Sequence, residues 1–188
     1  MTKILITEFI DSQSLKNINK KFDVIYKKDA WQNKDFLEKE IQKFDGIIVR
    51  NKTSLDKNIL INASNLKFIG RLGVGLDNID TEYCKNNNII VQPATGMNSD
   101  SVAEYVVNSS LTLLKKTQII NELTLQGTWP RTSIVTKELK GKILGLIGFG
   151  DISKKVLKLV NVFDVTCIAY DPFITLKQME ADNVKKVS

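Results

Sequence analysis

The sequence predicts an α/β protein with parallel sheets, arranged as two successive domains. Over about the first 90 residues, short apolar runs alternate with amphipathic segments, and strands that alternate with helices are typical of an open parallel sheet. Pro93-Ala94-Thr95-Gly96 interrupts the alternation, and a new strand, glycine turn, helix and strand follow between Leu139 and Pro172. We therefore expect one domain over residues 1–97 and a second over residues 98–188.

The elements of the first domain follow from the spacing of apolar residues and from the polar residues that precede helices. Short apolar runs, rich in β-branched residues, predict strands at residues 3–7, 22–26, 46–49, 66–70 and 89–91. Segments with a polar start and apolar residues at helical spacing predict helices at residues 11–21, 34–44, 54–60 and 81–85. Ser54 is the predicted N-cap of the third helix.

A long helix is expected to begin the second domain. Ser101-Val102-Ala103-Glu104 has the spacing of a capping box, which places the helix start at Ser101. Its apolar residues continue to about Asn121 and are too many for one exposed face, so we expect burial between domains or between subunits. An irregular connector over residues 126–137 follows, and a last helix is predicted at residues 175–181.

The stretch from Leu139 to Pro172 predicts a dinucleotide-binding unit. A strand at residues 143–147 leads into Gly148-Phe149-Gly150, an amphipathic helix and a second strand that ends at Asp171, 21 positions after Gly150. In such a unit Gly148 permits the tight turn, Gly150 lets the backbone approach a pyrophosphate, and the helix N-terminus donates free N–H groups. Asp171 is the expected acceptor for the adenosine ribose, which favours NAD over NADP because a carboxylate repels a 2′-phosphate.

Two residues depart from the usual glycine pattern. Ser153 stands at the third glycine position, where a small residue still permits close packing of helix and strand. Asp151 places a carboxylate beside the expected pyrophosphate, which is unfavourable unless its side chain points to water. The alternative is a glycine-bearing turn in an α/β domain that binds no nucleotide.

Composition excludes several other classes of function. The net charge is +6, but the lysines are interspersed with acidic residues, which indicates a solvated surface and not a nucleic-acid interface. Cys84 and Cys167 belong to no metal-binding or redox motif, and Cys167 is expected to be buried. No signal peptide or membrane-spanning run is evident, so we expect a protein of the reducing cytoplasm that does not engage membranes. The chain contains no histidine, so any imidazole in a mechanism must come from elsewhere.

Three segments together are similar to one enzyme family. They are residues 70–80 (GRLGVGLDNID), residues 98–107 (NSDSVAEYVV) and residues 139–172. In order and spacing they resemble the D-isomer-specific 2-hydroxyacid dehydrogenases over nearly the whole chain. The resemblance implies a flavodoxin-like substrate domain over residues 1–97, followed by the N-terminal part of a Rossmann NAD-binding domain. It also implies NAD as cofactor and a homodimer that involves the helix after Ser101.

On the substrate side, the resemblance implies roles for four residues. Val74 and Gly75 match the loop whose backbone amides hold the substrate carboxylate. Arg50 matches an anion-binding arginine of the phosphoglycerate enzymes, and Asn98 matches a substrate-side asparagine of the formate enzymes. For Arg50 and Asn98 the alternatives are a surface ion pair and a plain helix-start residue.

On the cofactor side, the resemblance extends to the glycine turn. Val102 faces the nicotinamide region in such folds, and Asp171 matches the ribose acid. The pyrophosphate loop corresponds to Gly148, Gly150 and Ile152. Asp151 stands where the family commonly has an arginine, which removes or inverts one phosphate contact.

The implied activity is reversible hydride transfer between a 2-hydroxy acid, phosphoglycerate-like or hydroxypyruvate-like, and its 2-oxo acid. The family's catalytic arginine, glutamate and histidine are expected beyond Ser188, so no catalytic residue and no metal ligand is assigned here. We therefore expect the 188 residues to be the N-terminal part of such an enzyme and inactive alone. The alternatives are a non-enzymatic NAD-sensing or interaction protein on the same fold, or an inactive fragment.

Overall fold

A computed structural model describes all 188 residues. The chain divides into two compact units, Met1–Met97 and Asn98–Ser188. Each contains one sheet whose strands are all parallel, with helices between the strands. The predicted α/β class is therefore confirmed. No helix combines the length and apolar character that a membrane span requires.

The first unit is built on a five-stranded sheet. Its strands are β1 Lys3–Ile6, β2 Asp23–Tyr26, β3 Gly46–Val49, β4 Phe68–Arg71 and β5 Ile90–Pro93. The spatial order is β2-β1-β3-β4-β5, which is the flavodoxin-like order. The direction in which successive strands are added reverses between β1 and β3, and doubly wound sheets bind ligands beyond the carboxyl ends of the strands at such a switch point.

Four helices cover this sheet. They are α1 Ser12–Asn19, α2 Lys34–Glu40, α3 Lys57–Leu60 and α4 Thr81–Asn86, and short 3₁₀ turns occur at Ala30–Gln32 and Ile41–Lys43. The predicted N-cap at Ser54 is wrong, because the side chain of Asp56 accepts from the Ile59 amide and begins α3 instead. Leu55 is extended and forms a parallel bridge with Ile79, which prevents a helix from starting earlier.

Side chains from both faces of the sheet are buried. Leu5, Ile47 and Ile69 belong to a large core that includes residues of α2, α3 and α4. Ile4 and Ile6 point to the other face, where Ile10 and residues of α1 cover them. Burial on both faces is the normal state of a parallel sheet, and it leaves the strand ends as the places where polar side chains can meet.

The second unit has a three-stranded sheet in the order β6-β7-β8. Its elements are α5 Ser99–Lys115, α6 Thr117–Leu125, β6 Ile143–Ile147, α7 Asp151–Val160, β7 Thr166–Tyr170, α8 Leu176–Ala181 and β8 Lys185–Lys186, with a 3₁₀ turn at Asn161–Phe163. Its core includes Ala103, Phe149, Val156 and Ala169. Cys167 is buried as predicted, and burial raises the pKa of its thiol.

The long helix differs from its prediction at both ends. It begins at Ser99, and the Val102 amide already donates to the Asn98 carbonyl at 3.0 Å, so Ser101 lies inside the first turn and forms no capping box. Lys116 adopts a left-handed conformation with φ 51° and separates α5 from α6. The Lys137 amide, from the connector, donates to the Leu114 carbonyl at 2.9 Å. This bond satisfies one acceptor that the helix end leaves free.

Candidate functional site

The switch point of the first sheet holds a buried carboxylate. Glu8 lies two residues beyond the end of β1 and is only 4% exposed. Its oxygens accept from the backbone amides of Arg50 at 2.8 Å, Lys52 at 3.1 Å and Thr53 at 2.9 Å. The Thr53 hydroxyl donates a fourth bond at 2.8 Å and lies 2.7 Å from the Thr7 hydroxyl. Four donors to one carboxylate compensate for the free-energy cost of burying its charge.

These donors also decide the charge state of Glu8. Burial alone would raise the pKa of this carboxyl, but the bonds from Thr53, Arg50 and Lys52 together outweigh burial and lower it. Asn78 holds the same loop from its other side, because its side-chain amide donates to the carbonyls of Arg50 at 2.9 Å and Thr53 at 2.6 Å. The loop from 50 to 53 is therefore fixed through both its N–H and its C=O groups.

Arg50 is presented to solvent by this fixed loop. Its side chain forms no ion pair, and its one hydrogen bond within the protein is a 3.5 Å bond from Nη1 to the Phe9 carbonyl. Arg50 lines two cavities at the switch point. One, of about 500 Å³, is bordered by Phe9, Asp11 and Leu72. The other, of about 260 Å³, is bordered by Lys28, Trp31 and Lys52.

The loop after β4 offers free backbone donors. Neither the Val74 amide nor the Gly75 amide donates to any group of the protein, and Val74 is 50% exposed. A Cβ atom on Gly75 would come within 2.7 Å of Asp77 Oδ1, so glycine lets the backbone lie close to that carboxylate. Two adjacent free amides suit the oxygens of a carboxylate ligand.

In the second unit, the glycine turn combines a left-handed glycine, free helix amides and open space. Gly148 has a φ of 89°, which favours glycine, and its amide donates to the Tyr170 carbonyl at 2.7 Å. Gly150 is the N-cap of α7 and has no side chain to satisfy the first-turn amides. A Cβ atom on Gly148 or Gly150 would meet nothing within 4 Å, so there is open space next to both residues. The turn and helix end fit a phosphate group.

Asp171 is bonded to this turn. Its Oδ2 accepts from the Phe149 amide at 2.8 Å, and its Oδ1 accepts from the amides of Phe173 at 2.8 Å and Ile174 at 3.2 Å. The bond from Phe149 is the main reason that the pKa of Asp171 is lowered, followed by the bond from Phe173. An ionised carboxylate has about four acceptor positions. Oδ2 therefore retains capacity for a ribose hydroxyl.

The two residues that depart from the glycine pattern are accommodated locally. The Ser153 hydroxyl donates to the Gly148 carbonyl at 2.7 Å and so ties α7 to the turn. The Asp151 side chain is 61% exposed and lies 3.9 Å from Lys155 Nζ, which also pairs with Asp100 at 2.9 Å. Ile152 is exposed in the same first turn. Asp151 thus points to water, and Lys155 offsets part of its charge.

The remaining predicted residues lie at the start of α5. Asn98 is its N-cap, with an exposed side chain that makes no capping bond, and Val102 is half-buried in the first turn. Both belong to the second unit, whereas Arg50, Val74 and Gly75 belong to the first. Their predicted roles toward substrate and nicotinamide stay predictions.

Glu8, Thr53 and Asn78 were not identified from the sequence. Glu8 binds residues 42 to 45 positions away, and such pairings are invisible to local patterns. One signal was available, because Glu8 directly follows an apolar strand and the carboxyl ends of parallel strands form the binding edge.

Comparison with known proteins supports a single family. The profile described as "D-isomer specific 2-hydroxyacid dehydrogenase, catalytic domain" matches residues 4–181. The (S)-sulfolactate dehydrogenase of Chromohalobacter salexigens is 34% identical over 174 residues, which are 93% of this chain and 56% of that enzyme. The D-3-phosphoglycerate dehydrogenase of Archaeoglobus fulgidus is 32% identical over 185 residues, which are 98% of this chain and 35% of that enzyme.

A solved structure shows the same arrangement of elements. The D-lactate dehydrogenase from Aquifex aeolicus, complexed with NAD and lactic acid, is 25% identical and superposes with a TM-score of 0.83. The match covers 98% of this chain and 56% of that one. The chain thus spans between a third and a little over half of the length of these relatives.

Proposed function

Because the chain belongs to the D-isomer-specific 2-hydroxyacid dehydrogenase family, we propose that it forms the substrate domain and part of the NAD domain of such an enzyme. The reaction is reversible hydride transfer between a 2-hydroxy acid and its 2-oxo acid. The observation that carries the proposal is the Gly148–Gly150 turn, with open space beside it, free helix amides after it and Asp171 bonded to it. The substrate domain is assigned to residues 1–97 and the NAD domain begins at residue 98.

The second unit fits the adenosine and pyrophosphate end of NAD. The amides at the start of α7 would donate to the phosphate oxygens, next to Gly150 and Ile152. The free acceptor capacity of Asp171 Oδ2 would take a ribose hydroxyl, and its negative charge would oppose the 2′-phosphate of NADP. Bound NAD would supply the hydride acceptor, with its nicotinamide near Val102.

The first unit supports a substrate with two anionic groups. The free amides of Val74 and Gly75 would bind the carboxylate next to the reacting carbon. Arg50 lies at the switch point without an ion-pair partner and would bind a second anion, such as a phosphate or sulfonate. The relatives named sulfolactate and phosphoglycerate dehydrogenase are consistent with this substrate class.

The chain's own residues account for binding and orientation only. Oxidation of the hydroxyl carbon requires a base for the hydroxyl proton, and efficient bases have a pKa near the working pH. These residues include no histidine, and the carboxylates Glu8 and Asp171 both have lowered pKa values, which makes them weak bases. We therefore assign no proton transfer to this chain, and we expect residues 1–188 alone to give no turnover.

The proposal is tested with the purified complete protein of the encoding gene. NADH or NADPH oxidation is followed with 3-phosphohydroxypyruvate, 3-sulfopyruvate, hydroxypyruvate and glyoxylate. We expect NADH-dependent reduction, with the highest kcat/KM for an acid that carries phosphate or sulfonate. NADH binding without turnover of any 2-oxo acid would favour the NAD-sensing alternative over the enzyme.

A further inference from the structure

We propose that Glu8 is the positioning residue for Arg50, and that it thereby sets how strongly the site selects substrates with a second anionic group. The inference rests on the proposed function for the substrate and on the geometry of the switch point for the mechanism. Glu8 follows β1 and Arg50 follows β3, which are the adjacent strands where the order of the sheet reverses.

The loop that carries Arg50 is held through both its amides and its carbonyls. The Glu8 carboxylate binds the amides of Arg50, Lys52 and Thr53 within 3.1 Å. Asn78 binds the carbonyls of Arg50 and Thr53 within 2.9 Å. Hydrogen bonds to a charged acceptor are about twice as strong as neutral ones, so Glu8 is the dominant anchor of this loop.

The guanidinium of Arg50 is not paired with the carboxylate that holds its backbone. An arginine next to a carboxylate usually forms an ion pair with it, which would neutralise its charge. Here Glu8 Oε1 accepts from the Arg50 amide and from the amide and hydroxyl of Thr53, and Oε2 accepts from the Lys52 amide. No ion pair joins Glu8 to Arg50. Glu8 therefore fixes the backbone that carries Arg50 and leaves the guanidinium available to an external anion.

Removal of the Glu8 charge should loosen this loop. In Glu8→Gln one oxygen becomes an NH₂ group, which cannot accept a hydrogen bond. At the Oε2 position it leaves the Lys52 amide without its acceptor, and at the Oε1 position it leaves the donors of Arg50 and Thr53 without theirs. A buried donor without an acceptor is unfavourable, so the loop must shift or open to water. The backbone of Arg50 would then no longer be held in one position, and the binding of a second anion would weaken. The amides of Val74 and Gly75 would stay in place.

The experiment compares Glu8→Gln with the unsubstituted complete protein. For the better of 3-phosphohydroxypyruvate and 3-sulfopyruvate we expect KM to rise about tenfold, which corresponds to about 1.4 kcal/mol, with kcat within about twofold. KM for glyoxylate, which has no second anion, should change less than about twofold. In an Arg50→Ala background, Glu8→Gln should have almost no further effect on KM, because positioning acts only through Arg50.

Two further variants keep the test decisive. Thr53→Val removes the hydroxyl that donates to Glu8, and we expect a smaller rise in KM for the substrate with a second anion. This variant provides the test if Glu8→Gln fails to fold. Asp45→Asn is the matched control, because the Asp45 carboxylate also accepts from a backbone amide, that of Lys3 at 2.9 Å. This pair lies at the amino ends of β1 and β3, away from Arg50. It should leave KM for both substrate types unchanged.

Hydrogen exchange separates this inference from the proposed function. We expect the amides of Arg50, Lys52 and Thr53 to exchange faster in Glu8→Gln, whether or not the protein turns over a 2-oxo acid. Unchanged exchange, an equal KM increase for glyoxylate, or additive effects with Arg50→Ala would overturn the positioning role. Absence of turnover in the unsubstituted protein contradicts the proposed function and the substrate part of this inference, and exchange still decides the anchoring part.

Discussion

The Asp171 carboxylate accepts a hydrogen bond from the Phe149 amide at 2.8 Å. Phe149 lies between the two glycines of the turn, and its side chain is fully buried in the core of the second unit. The residue proposed to bind the ribose therefore also holds the loop proposed to bind the pyrophosphate. Changes at Asp171 should consequently affect both parts of the cofactor site.

We predict that Asp171→Ala reduces the preference for NADH over NADPH by about tenfold or more, because the carboxylate that opposes a 2′-phosphate is lost. The same variant should speed hydrogen exchange of the Phe149 amide, since its acceptor is gone. The measurements are kcat/KM with each cofactor and amide exchange of the turn. A complete protein that prefers NADPH before substitution would contradict the ribose assignment.

Arg50→Ala should selectively weaken the binding of substrates that carry a second anionic group. A charge-assisted hydrogen bond contributes about 1.5–3 kcal/mol, so we expect KM for the phosphate- or sulfonate-bearing acid to rise by roughly 10- to 100-fold. Arg50→Lys should recover part of this loss, because a lysine keeps the charge but not the forked geometry. Steady-state kinetics with glyoxylate provides the reference, and an equal loss there would contradict the assignment.

The pKa of Glu8 predicts how stability depends on pH. Because its folded pKa is lowered, ionised Glu8 stabilises the fold above its unfolded pKa, and this contribution is lost as the pH falls through about 4 toward the folded pKa. We expect Glu8→Gln to cost about 1–3 kcal/mol at pH 7. The difference from the unsubstituted protein should narrow at pH 3.

Chemical denaturation at pH 7 and pH 3 measures this effect on the free energy of unfolding. Asp45→Asn serves as a comparison, since Asp45 is a partly exposed carboxylate that also has a lowered pKa. A Glu8→Gln protein with the same free energy of unfolding as the unsubstituted protein at pH 7 would show that the charge of Glu8, and the bonds that glutamine cannot accept, do not stabilise the fold.

The predicted homodimer depends on the apolar residues of the second unit that this chain leaves exposed. Only Ser99 and Ala103 of α5 are fully buried, whereas Tyr105 is 70% and Leu113 is 77% exposed. Both side chains lie on one helix, and exposed apolar side chains that form a contiguous patch are typical of interaction surfaces. We expect the complete protein to sediment as a dimer and Leu113→Glu to shift it toward monomer. A monomeric unsubstituted protein at micromolar concentration would contradict the dimer.

The features that the sequence predicted correctly depend on residues close together in the chain, and most of the features it missed depend on residues far apart in the chain. The turn at Gly148 and the acid at Asp171 belong to one short unit, so their relationship followed from spacing. The Glu8 site depends on a loop from another strand end, which no local pattern encodes. The start of α5 was misplaced because the spacing at Ser101 fits a capping box equally well inside a helix. The helix break at Lys116 involves the distant connector through Lys137.

The binding of NADH by Gly150→Val tests the central claim most directly. Gly150 has a φ of −83°, which any residue adopts, and a Cβ atom there meets nothing within 4 Å. Valine should therefore be tolerated by the fold but occupy the space assigned to the pyrophosphate. Gly145→Ala is the matched control, because a Cβ atom there also meets nothing within 4 Å, and Gly145 lies within β6, away from the turn.

The measurement is a fluorescence titration of the complete protein with NADH, accompanied by its thermal unfolding temperature. We expect the Kd of Gly150→Val to rise more than about tenfold with little change in Tm, while Gly145→Ala binds NADH like the unsubstituted protein. Equal NADH affinity in Gly150→Val, with the fold intact, would contradict a cofactor site at this turn and with it the proposed dehydrogenase.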